Sequence, residues 1–306
     1  MTGRGASRGP PAIMAQLASA PGRIRAPELA APSLPWPQRL QRFVAGPAFL
    51  WGLIGLGAFF IAWYLLVDVF KLWNFARLPS LVKTLREGLN PDPIYGFSIF
   101  TKGYYVHVLA SVQRVFLAFV FATVLGVLIG LLMGWRRVFF GLTFPVLELL
   151  RPIPILAYIP VVLLLVPGRE TPIVVLTFLA AFFVTILNTL LGVHSIDQVY
   201  FRAARSLGFS EKDILLHVII PGALPYIFIG LQIGIAACWF SLVASEIVSG
   251  QSGMGYQVWQ TYYYQQYETM VIFMATLGFL GWGSSAIVRA IGNRLMRWRA
   301  QMLGGI

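Results

Sequence analysis

The sequence contains few charged residues and a single cysteine. Asp, Glu, Lys and Arg make up 11% of its 306 residues, whereas a soluble domain carries about a quarter. Hydrophobic residues account for 58%, and the mean hydropathy is +0.76. This composition excludes an ordinary soluble domain and predicts a membrane protein. Cys238 cannot form an internal disulfide and lies in an apolar run, which indicates a packing role.

Catalytic and metal-binding motifs are also missing. The sequence has no GxxxxGKS or GxxxxGKT phosphate loop, no HExxH, no paired CxxC and no GxSxG. A membrane-embedded enzyme should show clustered His, Asp or Glu in its spans, but His107, His194 and His217 are widely separated. We therefore predict that the chain is not an enzyme and that it binds no metal or cofactor of its own.

The chain is strongly basic, with a formal net charge of +12 and an isoelectric point of about 10.2. In a soluble protein this balance would suggest binding to nucleic acid. In a membrane protein, Lys and Arg at the ends of spans set orientation and contact anionic lipid. We prefer the second interpretation and expect no nucleic-acid partner.

Six runs are apolar enough to cross a hydrocarbon core, which takes about 20 residues. They cover approximately 47–67, 106–133, 139–166, 172–193, 221–248 and 268–291. The third run is interrupted by four prolines, Pro145, Pro152, Pro154 and Pro160. We predict that this span is kinked or locally unwound and faces protein or a pathway, since broken helices survive at membrane depth only where their backbone groups find partners.

We divide the chain into three parts. Residues 1–45 are rich in Pro, Ala, Gly and Arg and predict a disordered basic tail, although residues 12–20 faintly resemble a signal peptide. Residues 46–293 form a six-helix membrane domain, and 294–306 form a short basic tail. The connection after the first span holds a candidate surface helix at 79–87, with Pro79 at its start.

Orientation follows from the distribution of Lys and Arg. Threading six spans places eleven basic residues on one side: Arg39, Arg42, Arg136, Arg137, Arg202, Arg205, Lys212, Arg289, Arg294, Arg297 and Arg299. The loop at 249–267, on the other side, has no Lys or Arg. Both termini are therefore predicted to be cytoplasmic.

A polar element at 195–217 lies on the cytoplasmic side between the fourth and fifth spans. Ser195 and Ser210 are predicted N-caps of two short helices, and Gly208 is predicted to end the first of them. Pro221 is predicted to restart a helix at the membrane. An ordinary cytoplasmic loop with helical turns is the alternative from composition alone.

The residues of this element resemble the cytoplasmic signature of permease subunits of bacterial ABC importers. That signature reads Glu-Ala-Ala, three residues, Gly, nine residues, Ile, one residue, Leu-Pro. Here it falls on Arg202, Ala203, Ala204, Gly208, Val218, Ile220 and Pro221. The segments at 151–160, 221–231, 244–247 and 253–256 resemble the nitrate, sulfonate, taurine and bicarbonate branch. Arg202 departs from the usual Glu, which weakens any claim for an essential carboxylate there.

The resemblance implies an all-α membrane protein of the type I ABC importer permease architecture, with six transmembrane helices and a cytoplasmic coupling helix. The coupling helix would insert into a groove of an ATP-hydrolysing subunit, which alone uses ATP and Mg²⁺. The implied coupling residues are Arg202, Ala203, Ala204, Arg205, Gly208, Glu211 and Pro221. Two copies of the chain, two ATPase subunits and a periplasmic binding protein would form the complex in the bacterial inner membrane.

The expected substrate is a small anion, with sulfonates such as taurine first and nitrate or bicarbonate next. An ion-gradient-driven secondary transporter is the alternative, and it predicts inverted repeats and charged pairs at mid-membrane. No convincing repeat is present in the sequence. The loop at 251–267 is rich in Tyr and Gln; it is either a docking surface for the binding protein or an aromatic belt.

Ionisable residues inside apolar runs suggest a pathway, because such groups face the interior of a helix bundle by default. The candidates for a translocation path or gate are Arg151, Pro152, Pro154, Glu246, Gly253 and Gly255. Arg151 could attract an anion or simply pair with Glu148. Glu246 could brace a glycine-rich outer gate or be structural. Arg114 and His107 are read as interfacial or interhelical, without a function.

Overall fold

Long apolar helices dominate the structure. The computed structural model describes residues 47–71 and 78–296. Every regular element in these ranges is helical, because a helix satisfies its own backbone hydrogen bonds in an apolar surrounding. The described residues from Leu50 onward belong to one compact unit. The tail at 1–45 and the residues from 297 lie outside the described ranges, so their disorder and cytoplasmic location remain predictions.

Five helical segments of the described residues are long and apolar enough to cross a membrane. Their main helices are α1 (Pro47–Tyr64), α3 (Lys102–Trp135), α6 (Glu170–His194), α9 (Ile220–Ser249) and α11 (Tyr267–Leu295). Shorter helices are α2 (Leu81–Gly88), α4 (Arg137–Leu150), α5 (Ile159–Leu165), α7 (Gln198–Ser206), α8 (Glu211–Ile214) and α10 (Met254–Tyr263). The last helix passes the predicted domain end at 293.

The third span is broken, as its prolines predict. Helices α4 and α5 together are apolar enough for a sixth span, but they are bent by 93°. Pro152 and Pro154 lie at the break and have no backbone N–H to continue the helix. The hydroxyl of Tyr158 donates to the carbonyl of Leu150 at 2.8 Å, which satisfies one group that the break leaves free. The described residues therefore hold five candidate spans, or six when α4 and α5 are counted as one broken span, which agrees with the predicted architecture.

The other two prolines of this span are accommodated within helices. Pro160 lies in the first turn of α5, where a missing N–H costs no hydrogen bond. Pro145 lies inside α4. The bend is therefore caused by Pro152 and Pro154, whereas Pro145 and Pro160 do not interrupt their helices.

Helix α6 packs between α3 and α9 at the centre of the described bundle. Close approach depends on glycines at four-residue spacing on α3, Gly126, Gly130 and Gly134. A Cβ added at Gly130 would lie 2.6 Å from the Cβ of Thr189 on α6. Small residues allow membrane helices to pack closely, because van der Waals contact replaces the hydrophobic effect as the driving force.

The predicted surface helix forms α2, although it starts later than expected. Its N-cap is Ser80, so Pro79 precedes the helix and is not in its first turn. The Pro79 carbonyl instead accepts a hydrogen bond from the Trp63 indole at 3.3 Å. The buried carboxylate of Glu87 accepts from the Tyr95 N–H at 3.1 Å and holds the following loop.

We expect Gly130→Ala to destabilise the bundle by about 1–3 kcal/mol, because overpacking a tight contact costs that much. Gly141→Ala is the matched control, since a Cβ there has no neighbour within 4 Å. It should leave stability unchanged or raise it by up to about 1 kcal/mol through helix propensity. Thermal unfolding of the purified protein in detergent measures both. Equal unfolding temperatures for the two variants would contradict the packing assignment.

Candidate functional site: a coupling element and a buried charge cluster

The polar element begins at Asp197 and not at Ser195. Asp197 is the N-cap of α7, and its Oδ1 accepts from the Val199 N–H at 2.9 Å. The prediction of Ser195 was wrong because α6 continues up to it: its N–H donates to the Leu191 carbonyl, as at a helix end. Ser and Asp both cap helices well. Ser195 is still part of the end of α6, so Asp197 becomes the N-cap of α7.

Gly208 ends α7 as predicted. Its φ of +80° lies in the left-handed region, where glycine is least strained. Its N–H donates to Arg205 at 3.0 Å, and the Phe209 N–H donates to Ala204 at 3.1 Å. This pair of bonds is a Schellman motif and satisfies carbonyls at the helix end. The turn is therefore held without help from any partner.

Helix α8 begins at the second predicted cap. Ser210 and Asp213 form a reciprocal capping box. Pro221 lies in the first turn of α9, as predicted, although helical residues continue from Glu211 to Ser249 without a break. A π-helical turn at Leu215–Ile219 precedes the proline. It widens the helix where an α-helical carbonyl would meet the proline ring.

The seven predicted coupling residues do not share one surface. Arg202, Ala203, Arg205 and Glu211 are exposed, whereas Ala204 is buried. The small size of Ala204 therefore serves internal packing, whereas Ala203 and Gly208 are small and exposed. Arg205 and Glu211 lie 3.6 Å apart and link α7 to α8. Their mutual contact is weak because both side chains are solvent-exposed.

A buried charge cluster lies at the opposite end of the bundle. Arg114 on α3 is almost completely buried and contacts two carboxylates. Its Nη1 lies 2.6 Å from Oε1 of Glu246 on α9. Its Nε and Nη2 donate to the two oxygens of Glu170, in the first turn of α6, at 2.7 and 2.8 Å. Ser252 accepts through its carbonyl and its hydroxyl, both at 2.8 Å. One guanidinium thus joins three helices and the loop before α10.

Glu246 fixes the beginning of α10. Its fully buried carboxylate accepts from the Ser111 hydroxyl and from the Gly255 N–H, each at 2.8 Å. Gly253 has a φ of +115°, and a Cβ there would overlap the same carboxylate. The structure therefore brings together three of the predicted gate residues, Glu246, Gly253 and Gly255. His107 contributes as well, since its Nδ1 accepts from the Gly253 N–H at 3.1 Å.

The other three predicted path residues lie at the bend of the third span. Arg151 pairs with Glu148 at 2.8 Å, and both side chains are about half exposed. This is the pairing that the alternative predicted. Pro154 lines an apolar cavity of about 230 Å³ with Ser241 and Ser245 of α9. Pro152 is exposed beside it. Bend and cluster are therefore separate places, joined through α9.

Sequence reasoning missed the roles of Arg114, Glu170 and Ser111. Arg114 is interhelical as predicted, but its partners were not identified. A charged group in an apolar run must find a partner, since an unpaired charge there costs several kcal/mol. A search for oppositely charged residues deep inside the apolar runs would have selected Arg114 and Glu246. The sequence separation of these two residues, 132 positions, hides the pairing.

Comparisons with known proteins place this geometry in a family. Residues 122–300 match the family described as "Binding-protein-dependent transport system inner membrane component". The taurine transport system permease protein TauC of Escherichia coli is 35% identical over 64% of this chain and 71% of its own length. The nitrate import permease protein NrtB of Leptolyngbya laminosa is 31% identical over 77% and 86%. The bicarbonate transport system permease protein CmpB of Synechococcus elongatus is 30% identical over 80% and 87%.

A solved structure shares the fold. It is the inward-facing MetNI methionine ABC transporter, of which one chain aligns with a TM-score of 0.50 and 19% identity. The alignment covers 62% of this chain and 93% of that chain. At this identity the likeness supports the architecture alone.

Removing one member of the buried pair should destabilise the protein strongly. We expect Arg114→Met to cost about 3–5 kcal/mol, because it leaves the Glu246 carboxylate buried and unpaired. Adding Glu246→Gln should recover part of the loss. Arg151→Met, which breaks the exposed pair, should cost at most about 1 kcal/mol. Thermal unfolding in detergent compares the four proteins. Similar losses for Arg114→Met and Arg151→Met would refute the buried-pair assignment.

Proposed function

Because the chain belongs to the family of binding-protein-dependent transport system inner membrane components, in its nitrate, sulfonate, taurine and bicarbonate branch, we propose that it carries a small anion through an ATP-driven importer. The observation that carries this proposal is the self-capped helix pair α7–α8. It keeps a defined exposed surface without any partner, as a docking element for a separate ATPase requires. The three relatives are permeases of taurine, nitrate and bicarbonate transport systems, and they give no support to a gradient-driven transporter.

The ATPase contact is formed by the exposed part of the coupling element. Arg202, Ala203, Arg205 and Glu211 present their side chains to the partner, and Gly208 sets the angle between the two helices. Ala204 and Pro221 support this surface from behind. The partner subunits use ATP and Mg²⁺, and this chain binds neither. Because Arg202 replaces the usual Glu, either a carboxylate is dispensable at this position or the partner's groove carries a compensating charge.

The transported anion is a sulfonate such as taurine as first choice, with nitrate or bicarbonate next. The similar identities of the taurine, nitrate and bicarbonate permeases support the anion class more than any single member. A second copy of the chain completes the membrane pathway. The apolar cavity beside Pro154, Ser241 and Ser245 lies on the face that contributes to this pathway.

The complex lies in the bacterial inner membrane with both termini of the chain in the cytoplasm. A periplasmic binding protein docks on the outer side at 251–267. Exposed aromatic side chains on α10 support this docking, namely Trp259, Tyr262 and Tyr263. Aromatic residues are enriched at protein interfaces, and the absence of Lys and Arg from this loop is consistent with the outer side.

Uptake into proteoliposomes tests the function. The permease is reconstituted with its cognate ATPase and binding protein, and uptake of labelled taurine, nitrate and bicarbonate is measured with and without ATP. We expect ATP-dependent uptake, with taurine the strongest, and loss of uptake when the binding protein is omitted. Uptake that ignores ATP and follows an ion gradient would overturn the importer proposal.

Gly208→Leu should uncouple the complex while the protein still inserts. A side chain in the left-handed region costs about 1–2 kcal/mol, so the turn will shift and ATP-driven uptake should fall about tenfold, equivalent to 1.4 kcal/mol. Gly96→Leu is the matched control, because Gly96 has nearly the same φ of +77° and equally open space, but lies in the loop after α2. Comparable uptake by the two variants would refute the coupling assignment.

A further inference from the structure

The two carboxylates that contact Arg114 differ in how firmly they are held. Glu246 has no exposed side-chain surface and is also bonded to Ser111 and Gly255. The Glu170 side chain is 66% exposed. Within residues 78–296, its carboxylate oxygens have hydrogen bonds to Arg114 alone. One anion is therefore built into the fold, and the other is held at a single point beside solvent.

The contact with Glu170 has the geometry by which arginine recognises oxoanions. Two parallel N–H···O bonds, from Nε and Nη2, reach the two oxygens of one carboxylate. Planar or tetrahedral anions with two oxygens on one edge accept the same pair of bonds. Nitrate, bicarbonate and the sulfonate group of taurine all present such an edge. Glu170 thus occupies a site that fits the class of anion assigned to the transporter.

Exchange at this site conserves charge. Replacing the Glu170 carboxylate by a free monovalent oxoanion leaves the charge of the cluster the same. Arg114 keeps its bonds to Glu246 and Ser252 throughout, so the buried guanidinium is never left without an anion. A buried charge without a partner is strongly destabilising, and the retained contact with Glu246 avoids that state while Glu170 leaves.

We propose that the Nε–Nη2 edge of Arg114 is an oxoanion-binding site that Glu170 fills in the resting protein. An incoming oxoanion displaces Glu170, which moves into solvent. The site deepens the proposed function, since the displacing anion is the transported one and arrives from the outer side. The loop before α10 meets the first turn of α6 here, because Arg169 donates to Gln251 at 2.6 Å and Arg114 to Ser252. A change in the occupancy of the site therefore affects the contacts of Gln251 and Ser252, the two residues before Gly253.

Chemical rescue of Glu170→Ala tests this site directly. The purified full-length variant in detergent is heated with sodium nitrate, sodium methanesulfonate or sodium chloride at equal ionic strength. We expect the two oxoanions to raise its unfolding temperature over chloride by about 2–5 °C once the site is filled. The unaltered protein should gain less, because Glu170 competes for the same edge.

Two further variants control the result. Glu148→Ala also frees an arginine, but at a half-exposed pair, and should show no oxoanion-specific gain. Glu170→Gln keeps the size of the side chain and should be rescued less than Glu170→Ala. An equal gain for Glu148→Ala, an equal gain with chloride, or no gain for Glu170→Ala would each overturn the proposal.

The assay separates this inference from the proposed function, because it uses neither ATP nor partner proteins. ATP-driven anion uptake without rescue of Glu170→Ala would leave the importer in place and remove the site. Rescue without ATP-driven uptake would leave an oxoanion site and remove the importer.

Discussion

The end of the bundle that contains Arg114 depends on one constraint: a guanidinium surrounded by apolar helices must be neutralised and hydrogen-bonded. Moving an ion out of water costs several kcal/mol even after relaxation. Arg114 meets this demand only if the start of α6, the end of α9 and the loop before α10 all reach it. The close helix contacts at Gly126 and Gly130 bring α3 and α6 near enough for that. Packing and electrostatics therefore specify the same arrangement.

The coupling element meets the same demand for polar satisfaction by different means. Its helix ends are exposed and are capped locally, by Asp197, by the turn at Gly208 and by the Ser210–Asp213 box. The charge cluster is specified by contacts between distant helices, whereas this element is specified by its own short sequence. A locally specified element keeps its shape whether or not a partner is bound, as the proposed contact with an ATPase requires.

How far the sequence predicts the structure follows this division. The six spans, the broken third span, the positive φ of Gly208 and the Ser210 cap rest on local rules, and all of them were predicted. The pairing of Arg114 with Glu170 and Glu246 was not predicted. Glu170 is 56 positions and Glu246 is 132 positions away in the sequence, and no local rule links residues so far apart. The Ser195 cap was wrong because α6 extends further along the chain than its own residues indicate. The burial of Ala204 depends on how α7 rotates against the core, which composition does not reveal.

The π-helical turn before Pro221 has a mechanical consequence. Because the chain does not break there, one helix of 39 residues extends from Glu211 to Ser249, a length of about 58 Å at 1.5 Å per residue. The first turn of this helix belongs to the coupling element, and Glu246 lies in its last turn. In the proposed importer this helix acts as a lever, with the coupling element at one end and the charge cluster at the other. In the proposed importer, an axial displacement of Glu211 moves Glu246 by the same amount unless the π-helical turn at 215–219 deforms. The stiffness of that single turn then sets how much of the proposed motion crosses the membrane.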